Sequence, residues 1–212
     1  MPWKNMLISA LILGLFAVVG TGLVALTQDR TADKIAENER QALLDNLHQV
    51  VPPELYNNDI YADAIEVTDP LLGSKLPVKV YRARQDGKPV AAAIASIGPE
   101  GYGGDIKLLI GIRYDGTLTG VRVLSHKETP GLGDNIEAER SDWILKFTGH
   151  ALGNPEPDKW KVKKDGGVFD QFTGATITPR NVVETVRKAL VYFAQHRDEL
   201  FAGPATREKP HG

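Results

Sequence analysis

The sequence predicts an α+β domain with a mostly antiparallel sheet flanked by helices, preceded by one N-terminal transmembrane helix. Three observations lead there. Residues Met6 to Leu26 carry no charge. Between positions 78 and 124, strand-like runs are separated by Asp86-Gly87 and Asp115-Gly116, turn dipeptides whose glycine accepts positive φ. The chain closes on a segment in which Val182, Val183, Val186, Ala189, Leu190 and Phe193 share one helical face. Strand pairs joined by tight turns, with helices at the margins, are the pattern of an α+β architecture.

The apolar run comes first. Its 21 residues span about 31 Å at helical rise, the thickness of a hydrocarbon core. A cleaved signal peptide is the competing reading. The run is long for a signal-peptide core, and Val24-Ala25-Leu26 is a poor small-x-small site. An uncleaved anchor over residues 1–28 is therefore expected. Lys4 is the one basic side chain before the span, and Arg30 and Lys34 follow it, so the charge bias is slight. A short N-terminal flank with most of the chain after the span suits a signal anchor. That arrangement places the bulk on the outer, periplasmic side of the inner membrane.

Residues 29–75 are expected to form a membrane-proximal helical segment. Ala32, Ile35, Ala36, Leu43, Leu47 and Val50 recur at helical spacing, and Pro52-Pro53 stops the pattern. The main domain is expected over 76–202. Val78–Arg84 and Val90–Ile97 read as one hairpin, Ile106–Tyr114 and Thr117–Leu124 as another. Ser141–Phe147 reads as a short helix capped by Ser141, and Trp160–Lys163 as a further strand before Asp165-Gly166-Gly167. The final helix is predicted from Pro179 to about Leu200, with Thr178 as N-cap and Pro179 at the first helical position. Residues 203–212 are polar and rich in Pro and Gly and read as a frayed tail.

Composition excludes several classes. With 42% hydrophobic and 25% charged residues the 212-residue chain has globular values. Its 25 basic and 27 acidic residues give a formal charge of -2, which disfavours a nucleic-acid partner. There is no cysteine, so a disulfide framework, Cys-ligated zinc, an ordinary iron–sulfur cluster and a thiol nucleophile are excluded.

The segment from Asp170 to Thr178 carries the chemistry. It is a loop of small residues opening onto a helix N-terminus, where free N–H groups and the helix dipole favour a phosphate. Gly174 and Ala175 let a bulky ligand approach the backbone, and Thr173, Thr176 and Thr178 supply hydroxyls. A capped helix after a tight turn accounts for the same composition. His126 and Glu128 are too isolated for a metal site, and Gly131-Leu132-Gly133 lacks the strand–glycine–helix context of a dinucleotide fold.

The run Asp170-Gln171-Phe172-Thr173-Gly174-Ala175-Thr176 resembles the flavinylation motif of the FMN-binding domains in Rnf and sodium-pumping NADH:quinone oxidoreductase complexes. Thr173 stands where those proteins often have serine. Gly101-Tyr102-Gly103-Gly104, the stretch His126 to Asp134, the run Lys163 to Gly167 and the single span resemble the G subunits of Rnf complexes, called Rsx where they serve a redox-sensing regulator. The resemblance implies FMN joined by a phosphoester to Thr176, installed by a flavin transferase that reads Asp170. It further implies that Thr173, Gly174, Ala175, Ile177 and Thr178 surround the phosphate. Tyr102, Gly103, His126, Glu128, Thr129, Leu132 and Gly133 would lie around the flavin ring. Lys163 and Lys164 read either as a pair near the ring, with Lys164 among its contacts, that raises its potential, or as a solvated edge. The implied function is an electron carrier, partnered by other subunits of a membrane complex that couples ferredoxin/NAD electron transfer to ion translocation. No side chain is expected to be catalytic and no metal to be bound. The alternative is an anchored, non-redox assembly module that holds a phosphate ligand.

Overall fold

A computed structural model describes residues 2–203 of the chain. The expected tail therefore lies outside the described residues, apart from Gly203. Two compact units divide between Leu43 and Leu44.

The first unit is the leading part of helix α1 (Pro2–Val50). Within it, the most apolar stretch of Trp3–Ala32 has a mean hydropathy of 2.5 and is buried nowhere. A helix apolar on every side and uncovered by protein is long and greasy enough to cross a membrane. The anchor and the amphipathic segment, expected as separate elements, lie in one continuous helix. Pro52 and Pro53 end the pattern as predicted, because proline cannot donate to the preceding turn.

The second unit is built on a five-stranded sheet, ordered β1 (Ala64–Val67), β2 (Val78–Gln85), β3 (Lys88–Gly101), β4 (Gly104–Arg113) and β5 (Leu118–Ser125). Every neighbouring pair is antiparallel. The register aligns Val80, Ile94, Ile110 and Val121 in one row across the sheet. Helix α2 (Ile177–Phe201) covers that face, burying Val182, Val183, Val186, Ala189, Leu190 and Phe193 in the main core. Each large apolar side chain buried this way contributes roughly 1.5–3 kcal/mol.

The adjacent row is Tyr81, Ala93, Gly111 and Gly120, which faces the other way because strand side chains alternate. Its small residues leave room for the last turn of α1. A Cβ on Gly120 would stand 3.1 Å from Val50 Cα. The Thr119 hydroxyl donates to the Val50 carbonyl, and Arg122 Nε donates to Gln49 Oε1 at 2.6 Å.

Several elements differ from expectation. Residues 51–75 hold 3-10 turns at Pro53–Leu55 and Pro70–Leu72, and the edge strand β1, instead of continued helix. Trp160–Lys163 is no strand. It joins no strand of the sheet: Val162 makes an isolated bridge to Phe169 and a 3-10 turn follows at Lys163–Asp165. Its apolar residues are instead held by packing, with Trp160 against Phe169 at 5.3 Å between ring centroids. Of Ser141–Phe147, only Ile144–Phe147 is helical, as a 3-10 turn; Ser141 Oγ still accepts the Trp143 N–H at 3.2 Å.

Candidate functional site

Three segments meet at a cleft of about 400 Å³, within the range of small-molecule sites. The β3–β4 turn contributes Tyr102. The loop after β5 contributes Glu128, Thr129, Leu132 and Gly133. The lead into α2 contributes Gly174 to Thr178. The cleft thus gathers most of the residues singled out in the sequence, although they are spread over 77 positions of chain.

The lead into α2 is shaped by a tight turn. Ala175 N–H donates to Phe172 O at 3.2 Å, and Gly174 takes φ +82° at the third position, which favours glycine. The turn delivers Thr176 to the N-cap of α2. There its backbone is already helical, with φ -78° and ψ -27°, and its side chain caps no N–H. The N-cap expected at Thr178 is therefore shifted by two residues, and α2 begins at Ile177. The reason is tertiary. Thr178 is fully buried, and its hydroxyl donates to Glu128 Oε2 instead of bonding back to the helix. Pro179 sits two positions further in than expected, still within the turn whose N–H groups have no helical partner.

Glu128 is the meeting point of the cleft walls. It is 5% exposed. One oxygen accepts the Thr178 hydroxyl, and the other accepts the Gly103 N–H at 2.8 Å. Three glycines make room for this. A Cβ on Gly101 or Gly133 would come within 2.9 Å of its carboxylate, and one on Gly103 would strike the Lys127 carbonyl. His126 orients the loop from behind: its Nδ1 accepts the Glu128 N–H at 3.0 Å, and its Nε2 pairs with Glu137 at 2.8 Å. Gly103 and His126 thus support the cleft without being among its lining residues.

Asp170, Thr173 and Lys164 also lie outside the lining. Asp170 is a latch. Its two oxygens take Lys146 Nζ at 2.8 Å and Lys163 Nζ at 2.5 Å, and its carbonyl accepts Trp143 Nε1–H at 2.8 Å. The bonds from Lys146 and Lys163 hold its carboxyl below the ordinary value. Thr173 is exposed at the turn. Lys164 is exposed and uses its backbone N–H on Gln171 Oε1 at 3.2 Å. Of the charged side chains of the described residues, only that of Glu128 lines the cleft.

Sequence reasoning missed Lys146, Trp143 and Asn181. Asn181 Nδ2 donates to Pro99 O and so ties the β3–β4 turn to α2. No spacing signal links these residues to their partners; Asn181 and Pro99 are 82 positions apart.

The cleft suits a ligand with a phosphate and an aromatic body. It offers an uncapped hydroxyl at a helix N-terminus, a glycine-opened backbone, and the apolar side chains of Tyr102, Leu132 and Ile177. These are 71%, 41% and 47% exposed and line one cleft together, and grouped exposed apolar side chains of this kind mark ligand-binding grooves.

Residues 101–191 match the FMN-binding domain family, and residues 1–50 match the RnfG N-terminal region. A Vibrio cholerae protein, named as the G subunit of an ion-translocating oxidoreductase complex, is 50% identical over 196 residues, covering 92% of this chain and 94% of its own. A Shewanella oneidensis protein of the same name is 46% identical over 207 residues, covering 97% and 98%. One from Aliivibrio fischeri is 47% identical over 201 residues, covering 94% and 96%. Identity at this level over the whole length, with both family regions in place, means that the chain belongs to the family of G subunits of ion-translocating oxidoreductase complexes.

Proposed function

We propose that this chain is the electron-carrier subunit of a membrane complex coupling ferredoxin/NAD electron transfer to ion translocation. It holds FMN by a phosphoester to Thr176. The observation that carries the reading is the position of Thr176: it lines the cleft at the N-terminus of α2, and its side chain caps no N–H. The neighbouring Thr178 is committed to Glu128, which leaves Thr176 as the hydroxyl at the helix end able to form a P–O bond. The phosphate keeps negative charge after esterification, and the helix end stabilises it.

The bound isoalloxazine ring supplies the electron transfer. The chain supplies position and environment. The turn at Gly174 keeps the backbone low beside Thr176, and Leu132, Ile177 and Tyr102 limit water. No side chain needs to act as acid or base once the bond is made. A flavin transferase makes that bond from a flavin dinucleotide: the Thr176 oxygen attacks the FMN phosphorus, the pyrophosphate P–O bond breaks, and the nucleoside monophosphate and the hydroxyl proton leave, with Asp170 holding the loop that the transferase reads. Free FMN would be lost by dilution outside the cytoplasm, so a covalent link serves retention. The anchor holds the domain at the periplasmic face, where other subunits of the complex exchange electrons with it.

The test is direct. The full chain, co-expressed with a flavin transferase and then denatured, keeps its yellow fluorescence and shows one FMN adduct by intact mass. The Thr176→Ala variant loses both. Release of the flavin on unfolding would favour the non-redox module that binds a free phosphate ligand.

A further inference from the structure

We infer that Glu128 is a positioning residue that fixes the cleft and, through its charge, holds the potential of the bound cofactor down. The inference rests on the FMN reading above and concerns a property which that reading leaves open.

The geometric part comes from convergence. The β3–β4 turn, the loop after β5 and the first turn of α2 lie close together: a Cβ on Gly103 would meet Lys127 and one on Gly133 would meet Thr178, while Asn181 ties α2 to Pro99 near the end of β3. One buried carboxylate ties all three, accepting from Gly103 and Thr178 while belonging to the third segment itself. Gly101 and Gly133 are the space it needs. A carboxylate shielded from water in this way costs desolvation free energy that a neutral side chain would avoid.

The electrostatic part comes from what surrounds it. Among the described residues lining the cleft there is no Lys, Arg or His. Lys164, which the sequence placed near the ring, is outside the lining, and Lys146 and Lys163 are spent on Asp170. The cleft therefore confronts an incoming electron with one fixed negative charge and no compensating positive side chain. In a partly water-excluded site such a charge acts at an effective dielectric well below that of water, and it opposes reduction of a ring beside it.

Two variants separate the parts. Glu128→Gln keeps an acceptor for the Gly103 N–H and a polar group facing Thr178, and removes only the charge. Glu128→Ala removes both. The full chain is loaded by co-expression with a flavin transferase, and intact mass establishes the adduct before any titration. Spectroelectrochemical titration of the flavin absorbance then gives the midpoint potential. Glu128→Gln is expected to raise it, changing the reduced-to-oxidised ratio at fixed potential at least tenfold, about 30 mV for a two-electron couple. Its amide exchange remains that of the parent. Glu128→Ala is expected to speed amide exchange at least tenfold at residues 101–104 and 176–180, measured on unloaded protein so that this arm needs no flavin. A Glu128→Gln potential within twofold of the parent ratio, or a lower one, overturns the electrostatic part. Unchanged exchange in Glu128→Ala overturns the positioning part. Absence of the adduct in the parent chain is a different failure: it sinks the FMN reading, and the potential-setting role with it, while the exchange arm still decides whether Glu128 holds the walls together.

Discussion

Thr176 and Thr178 are the same residue two positions apart, and the fold gives them opposite tasks. Thr176 faces the cleft uncapped; Thr178 is buried and committed to Glu128. Thr178→Val should therefore cost about 1–3 kcal/mol, the penalty for stranding a buried acceptor, read by urea denaturation of the full chain in detergent. A residue acting only as an exposed cap would cost about 1 kcal/mol. Asp170 gives a pH prediction. Lys146 and then Lys163 lower its carboxyl from the ordinary 3.8. A depressed carboxyl stabilises fully above the unfolded value and loses its contribution as pH falls through the folded one. The latch on the 170–176 loop should thus hold at neutral pH and open only below about pH 4. Amide exchange at Phe172 to Ala175 measures it, and Asp170→Asn should show the open behaviour already at neutral pH. The motif at this loop was legible in the sequence because its members are contiguous. Its partner Lys146 was not, because it lies 24 positions away from Asp170.

At the scale of elements, the hairpins were readable from Asp-Gly turns and the last helix from its apolar period, since both signals are local. Edge strand β1 was not, being four residues long and stabilised by pairing with β2. The strand expected at Trp160 failed for another reason: its residues suit a strand, but Trp160 is held by packing on Phe147 and Phe169 instead of by a ladder. Arg82 and Arg84, placed in an otherwise apolar strand, also had no local explanation. In the fold they meet buried Asp63, and they donate to Leu200 O and Phe201 O at the end of α2, each at 3.3 Å. Asp63→Ala should destabilise the domain by about 3–5 kcal/mol, because it leaves two buried guanidinium groups without their counter-charge. Thermal unfolding monitored by circular dichroism checks it. The seat of α1 gives a second prediction at this scale. Gly111→Val puts branched carbon where the Val50 carbonyl already lies, and overpacking of this kind costs about 1–3 kcal/mol. A comparable loss is expected to be absent in Gly116→Ala beyond the strain of its positive φ, because nothing stands near that position.

At the scale of the whole molecule, the anchor and the domain can be tested together in cells. The chain has no cysteine, so a single exposed one introduced as Lys75→Cys gives a signal without background. On the orientation proposed above, a membrane-impermeant maleimide should label it in cells with a permeabilised outer membrane. Protection until the inner membrane is broken would reverse the orientation. The linear order of residues was enough for the apolar span, the alternation of strands and turns, the terminal helix and the motif ending at Thr176. Each is written in residues close together, where periodicity and turn chemistry act within a few positions. Packing in three dimensions settled the rest: which threonine stands at the helix end, where Asp170 and Lys164 lie, and that Glu128 joins three cleft walls. Those outcomes depend on buried polar groups finding partners 25 to 50 positions away, a constraint imposed by excluding water from the packed chain and invisible to any local pattern.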